Sequence, residues 1–177
     1  MKQALVISVL CCSLAAISCR RTASEHGPPV FTTNTMACLK ETDFASFLGN
    51  SNLVYRTDNL GGVLFKSAPG YLTGATLRSK HRGVGLALFE SHETALAAVD
   101  FRRTNVAAVI TRGGHERDGV KNWWFSESQA LLSIVQGNLV LEVKDIRQRY
   151  SEVEDELWQT ATSLRKAAEQ TLPRIQQ

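Results

Sequence analysis

The chain has 177 residues, with 20 Lys or Arg against 17 Asp or Glu, a net charge of +3, and four cysteines. That length suits one ordinary domain, and so balanced a charge gives no basis for a nucleic-acid partner. Cys11, Cys12 and Cys19 crowd into the first nineteen residues. The remainder then holds the single thiol of Cys38, which excludes an internal disulfide framework and any CxxC metal or redox motif there.

Met1 and Lys2 make a short positive start, and Ala4 to Ile17 an almost unbroken apolar run. Small residues and a cysteine follow: Ala15, Ala16, Ile17, Ser18, Cys19. This order is that of an export signal, and the run is shorter than the ~20 residues a membrane-spanning helix needs. Arg20 and Arg21 follow the run, so they are not a twin-arginine signal. The reading assigns 1–18 to a signal peptide and 19–37 to a lipidated terminus and tether, rich in Thr, Ser, Pro and Gly.

The domain is then expected over 38–177. Leu39, Phe44, Phe47 and Leu48 fit a short amphipathic helix stopped by Gly49-Asn50. Leu53 to Arg56 and Val63 to Lys66 read as strands joined through Asp58, Asn59, Gly61 and Gly62. Further strands are expected at Tyr71–Ser79 and Val84–Glu90. A helix over His92 to Thr104 follows, with Glu93 in its first turn. Asn105 to Thr111, Trp123 to Ser126, Ala130 to Val135 and Leu139 to Lys144 complete the strands, with a tight turn at Gly137-Asn138. One long helix, Asp145 to Leu172, ends the chain. Its residues Ile146, Tyr150, Val153, Leu157, Thr160, Leu164 and Ala167 form a heptad-like seam, which suits either core packing or pairing of two copies.

These elements predict an α+β fold, a mostly antiparallel sheet with helices on one face and a long C-terminal helix. Their order is loosely similar to PsbP/Mog1-type domains, and no residue motif accompanies that similarity.

The stretch Ala16-Ile17-Ser18-Cys19 resembles the lipobox of bacterial lipoproteins, with Ala16 where the family usually has Leu. The resemblance covers the first nineteen residues. It implies that Cys19 carries diacylglycerol and an acylated amino terminus, palmitate among the chains, and anchors the protein in a membrane of the cell envelope. By the family's sorting habit, Arg20 in place of Asp after the cysteine implies the outer membrane where two membranes exist. Cleavage near Ala15 or Ser18 by an ordinary signal peptidase, or an uncleaved anchor, are the other readings of the same segment.

Few clusters carry chemistry. His115-Glu116-Arg117-Asp118 has acid–base side chains, but the second His of an HExxH zinc motif is Gly119. Ser163 and Lys166 match SxxK without its companion motifs. Arg78, Lys80, His81 and Arg82 form the clearest basic patch, with Arg102 and Arg103 as additions if the fold brings them near, suited to an anionic headgroup, envelope polymer or acidic protein. In a strand, Trp123 and Phe125 share one face and Trp124 the other, so Trp124 is added as a candidate ligand platform. No cofactor and no metal ligand set is expected. The function these residues support is a lipid-anchored, non-catalytic binding module. The rivals are an exported enzyme with His115 or His81 as base, and a structural protein oligomerising through the C-terminal helix.

Overall fold

The computed structural model describes residues 27–49, 53–57, 63–105 and 110–173. The expected signal segment, Cys19 and the turn residues Asp58, Asn59, Gly61 and Gly62 lie outside them. Seven strands form one antiparallel sheet: β1 (Val54–Thr57), β2 (Tyr71–Arg78), β3 (Arg82–Phe89), β4 (Ile110–Arg112), β5 (Trp123–Ser126), β6 (Leu131–Gln136) and β7 (Leu139–Asp145). Their spatial order is β1-β2-β3-β7-β6-β5-β4, two meanders joined where β3 pairs with β7. Four α-helices accompany them: α1 (Glu41–Leu48), α2 (Val63–Lys66), α3 (His92–Asn105) and α4 (Tyr150–Glu169), with a 3-10 helix at Thr33–Cys38. The α+β class and the antiparallel sheet are as the sequence predicts.

The helices do not gather on one face. Val84, Leu86 and Leu88 of β3 and Leu139, Leu141 and Val143 of β7 point to a core shared with α1, the 3-10 helix and α4. Ala87 and Phe89 of β3 and Val140 of β7 point the other way, to a second core with Phe65 of α2 and Ala95, Ala98 and Val99 of α3. A sheet covered on both sides needs apolar residues at successive positions, which is why Val84 to Phe89 is buried without a break. Val63–Lys66 is a helical turn where a strand was expected. An apolar run this short has no period to tell the two apart, and the turn sets Phe65 edge-on against Phe89 at 5.9 Å.

The heptad-like seam is core. Tyr150, Leu157 and Leu164 are at most 4% exposed and pack onto the sheet. Those three side chains are therefore taken up within one copy of the chain. The helix starts at Tyr150, not Asp145, because Asp145 still belongs to β7 and its carboxylate accepts the Arg147 N–H at 3.0 Å. Its 20 residues span ~30 Å, and burial continues to Ala168, so no second half projects.

The domain also begins before Cys38. Phe31 is 2% exposed and Thr35 1%, so the tether boundary moves back into 27–31. The cause is Asn138, in the β6–β7 hairpin. Its Oδ1 accepts the Phe31 N–H at 2.7 Å, and its Nδ2 donates to the carbonyls of Phe31 at 3.1 Å and Phe89 at 2.8 Å. Gly137 beside it has φ 55° and lies against the Pro29 carbonyl, where a Cβ would overlap. This two-residue turn therefore needs glycine both for its backbone and for the segment crossing it.

Asn138→Ala removes all three bonds and leaves a buried N–H without a partner. A loss of about 3 kcal/mol in urea unfolding is expected, with faster proteolysis around Phe31 in the native state. An unchanged midpoint and cleavage pattern would contradict the role given to Asn138.

Candidate functional site

The β2–β3 hairpin turns through Ser79, Lys80 and His81, closed by the Ser79 N–H on the Arg82 carbonyl at 2.9 Å. The chain leaving β7 is fastened beside it by the Ile146 N–H, which donates to the His81 carbonyl at 2.9 Å. Between them lies a groove of about 500 Å³ lined by Val54, Arg78, Ser79, Lys80, His81, Arg82, Lys144 and Ile146. None of its described lining residues is acidic. Another hollow mixes its charges, Asp118 and Glu169 facing Lys121 and Arg165, and one beside α1 holds Glu156 and no cation.

All four residues of the predicted basic patch line this groove, but Arg82 does not serve as a free cation. Its side chain turns to the α4 side of the sheet. Nε donates to Asp145 Oδ2 at 2.6 Å, and the two Nη groups donate to the Glu156 carboxylate at 2.6 and 3.0 Å. Nη1 also reaches the Phe47 carbonyl at 2.8 Å, and the guanidinium lies over the Phe47 ring. The Asp145 side chain is 1% exposed. Arg82 therefore holds the fold together behind the groove.

Lys144 is the cation sequence reading missed. It follows Glu142 on the same face of β7, pairs across from Gly83, and so stands beside Arg78, which also pairs with Gly83. Desolvation, then the Arg102 and Arg78 guanidiniums, push the Lys144 ammonium below its ordinary value. Only the register of β7 on β3 reveals this neighbourhood. For His81, desolvation, then Arg147 and Lys80, push the imidazole below its ordinary 6.5, against an opposing pull from Asp145. It is neutral at pH 7, and the groove's charge there comes from Arg78, Lys80 and Lys144.

The remaining candidates lie elsewhere. Trp124 is 1% exposed, in the second core beneath α3, so it is no ligand platform and does not join the patch. The alternation that put Trp123 and Phe125 on one face is right; helix α3 covers the other. Arg102 turns inward and pairs with Glu142, which also accepts the Ser133 hydroxyl at 2.9 Å. Burial lowers Arg102 to about 10. Arg103 sits on the surface 3.9 Å from Asp100.

The acid–base cluster is a clamp. Asp118 and Gly119, at φ 52° and 76°, make a tight turn bridged by Arg117 and Val120. Arg117 reaches across to α4, where it pairs with Glu154 and, at 3.0 Å, with Asp155, and lies over the Trp158 ring. His115 is exposed, its ring edge toward Trp123 and its carbonyl accepting the Trp123 indole N–H at 2.8 Å. The Ser163 hydroxyl donates back to the Gln159 carbonyl at 3.1 Å within α4. The Cys38 thiol is buried. Among the described residues no group of three or more His, Cys, Asp or Glu is placed to hold a metal. No helix among them is long and apolar enough to cross a membrane.

No family model matches the sequence, and no curated relative matches it either. The chain is similar to a solved structure, the extracellular domain of PknH from Mycobacterium tuberculosis, at 12% sequence identity and a TM-score of 0.49, over 81% of this chain and 100% of that one.

Arg82→Ala strands a buried carboxylate at Asp145. A loss of about 3 kcal/mol is expected in chemical unfolding, whereas Lys80→Ala, on the exposed hairpin tip, changes stability by less than about 0.5 kcal/mol. Equal effects from the two would show that Arg82 is a surface cation after all.

Proposed function

We propose that this chain is an exported lipoprotein, anchored through Cys19, whose domain binds an anionic partner in the groove between the β2–β3 hairpin and the end of β7. The observation that carries the binding half is the groove's lining: Arg78, Lys80 and Lys144 converge there with no carboxylate among the described lining residues. Cations gathered without counter-charges repel one another; Lys144 is held below its ordinary value by desolvation first, then by Arg102 and Arg78. A bound anion relieves it.

The anchor half rests on the Ala16-Ile17-Ser18-Cys19 box at the end of an apolar run. The domain's layout suits it. The N-terminal segment is seated by Asn138 at the start of β7, and the groove lies at the other end of that strand. Seven residues at ~3.3 Å put roughly 20 Å between them. A domain held to a membrane through its N-terminal segment turns that groove toward whatever lies in front of the membrane. An acidic protein or an anionic envelope polymer is the class of partner such a groove takes up. The seating of His115 and His81, each without a carboxylate positioned to orient it, favours binding over acid–base chemistry.

Two measurements test the two halves. Cells fed a palmitate analogue should label the wild-type protein and not Cys19→Ala; equal labelling would sink the anchor. Binding of inorganic polyphosphate to the full-length protein should fall about tenfold in Lys80→Glu, and fall again as salt rises. Because an anion favours the charged imidazole, the affinity should also climb as the pH drops below 6.5, and Lys80→Glu or His81→Ala should blunt that climb. Wild-type affinity in Lys80→Glu would refute the groove.

A further inference from the structure

The groove continues onto an open edge of the sheet. β1 is the outermost strand beside β2, and all four of its residues are exposed. Among the described residues no strand pairs with its outer edge. Its sequence, Val54-Tyr55-Arg56-Thr57, is strongly β-forming, with one charge and no proline. Natural edges are usually guarded by lysines, proline or a covering element.

The register says what an added strand would meet. Val54 stands across from Arg78 and Arg56 across from Thr76, so Val54, Arg56 and Arg78 share one face of the sheet. A chain lying along β1 puts every second side chain on that face, one beside Val54 and the next beside Arg56. At the Val54 end it runs into the groove, where Val54 and Ile146, 41% and 57% exposed, alternate with Arg78, Lys80 and Lys144. Two of the six exposed large hydrophobics of the described chain therefore sit among its unpaired cations. A phosphate polymer satisfies the cations but leaves the open backbone edge and both apolar side chains unused. An extended peptide satisfies all three.

We propose that β1 takes up an extended acidic peptide of a partner protein as an eighth strand, with an apolar side chain beside Val54 and acidic ones toward Arg56 and Arg78. Backbone hydrogen bonds along the edge hold the peptide, and the alternation of charge and apolar surface selects it. The inference rests on the anionic-groove reading and narrows its partner to a polypeptide.

The probe is a fluorescein-labelled octapeptide, Val-Thr-Glu-Thr-Val-Thr-Glu-Thr, which presents Val and Glu in turn on one face of a strand, titrated into the full-length protein. It is set beside the same peptide with every backbone nitrogen methylated and beside polyphosphate of equal charge. The expected result is binding of the plain peptide, at least tenfold weaker for the methylated one, with slowed hydrogen exchange at the β1 amides. Arg78→Glu should weaken the plain peptide about tenfold. Equal affinity for plain and methylated peptides overturns the proposal, as does binding of polyphosphate with none of peptide, and both leave the anionic groove standing. If Arg78→Glu alters the affinity of neither probe, the groove reading fails with it.

Discussion

Asp145 ends β7 on the face that lies beneath α4, and its side chain is almost wholly withdrawn from water. An unpaired carboxylate there costs several kcal/mol, so a cation must reach it from a neighbouring element. Arg82, directly across on β3, does so. Its guanidinium has donors to spare, and they go to Glu156 of α4 and to the carbonyl of Phe47 in α1. The need of one buried acid thus joins the sheet's two meanders at the β3–β7 seam to both helices above them. The opposite face has its counterpart. Glu142, three residues earlier on β7 and pointing the other way, is answered by Arg102 from α3 and by Ser133 from β6. A one-residue slip of β7 would exchange the two acids between faces, leaving Arg102 facing Leu141 or Val143 and Arg82 facing Lys144 or Ile146. The register of the central strand is therefore held by charge as well as by packing.

That arrangement explains what sequence reading could and could not see. Each hairpin carries local chemistry, so Gly137-Asn138 and the strands beside it are visible from their own residues. The seam of α4 is visible too, because a 3.6-residue period survives over twenty residues. The face a strand turns to a helix is a different matter. Val84 to Phe89 is apolar at every position, which says that both sides are covered and nothing about which helix covers which. For the same reason the sequence leaves Trp124 between two readings, packed under a helix or open as a ligand platform, and does not choose between them. Phe31 and Thr35 sit in a stretch with the composition of a linker. Their burial depends on Asn138, 107 residues away from Phe31, and no window along the sequence contains both.

The charged clusters divide by the same test of long-range partnership. Arg82, Arg102 and Arg117 each looked like surface cations, and each is committed to carboxylates on another element. Arg117 shows how far this goes. Trp158 donates its indole N–H to the Tyr150 hydroxyl, the hydroxyl donates to Glu154, and Glu154 takes Arg117, which lies back over Trp158. Burial first, and Glu154 with it, push the Tyr150 hydroxyl above its ordinary value, so the ring of bonds keeps its protons in place. The residues that read as a catalytic loop are the fastening of that loop to α4.

Arg78, Lys80 and Lys144 are a different case, cations that share a groove in which no described lining residue is an acid. Their mutual repulsion opposes their gathering around one hairpin. Surface position alone does not account for them, because solvated charges spread out where they can. Gly83 works against spreading. It pairs with Arg78 on one side and Lys144 on the other, so the register sets the two cations on the same face with no side chain between them. The end of the sheet that carries them is the one away from the hairpin where Asn138 seats Phe31. On the proposed reading, an anion entering the groove relieves the repulsion among them.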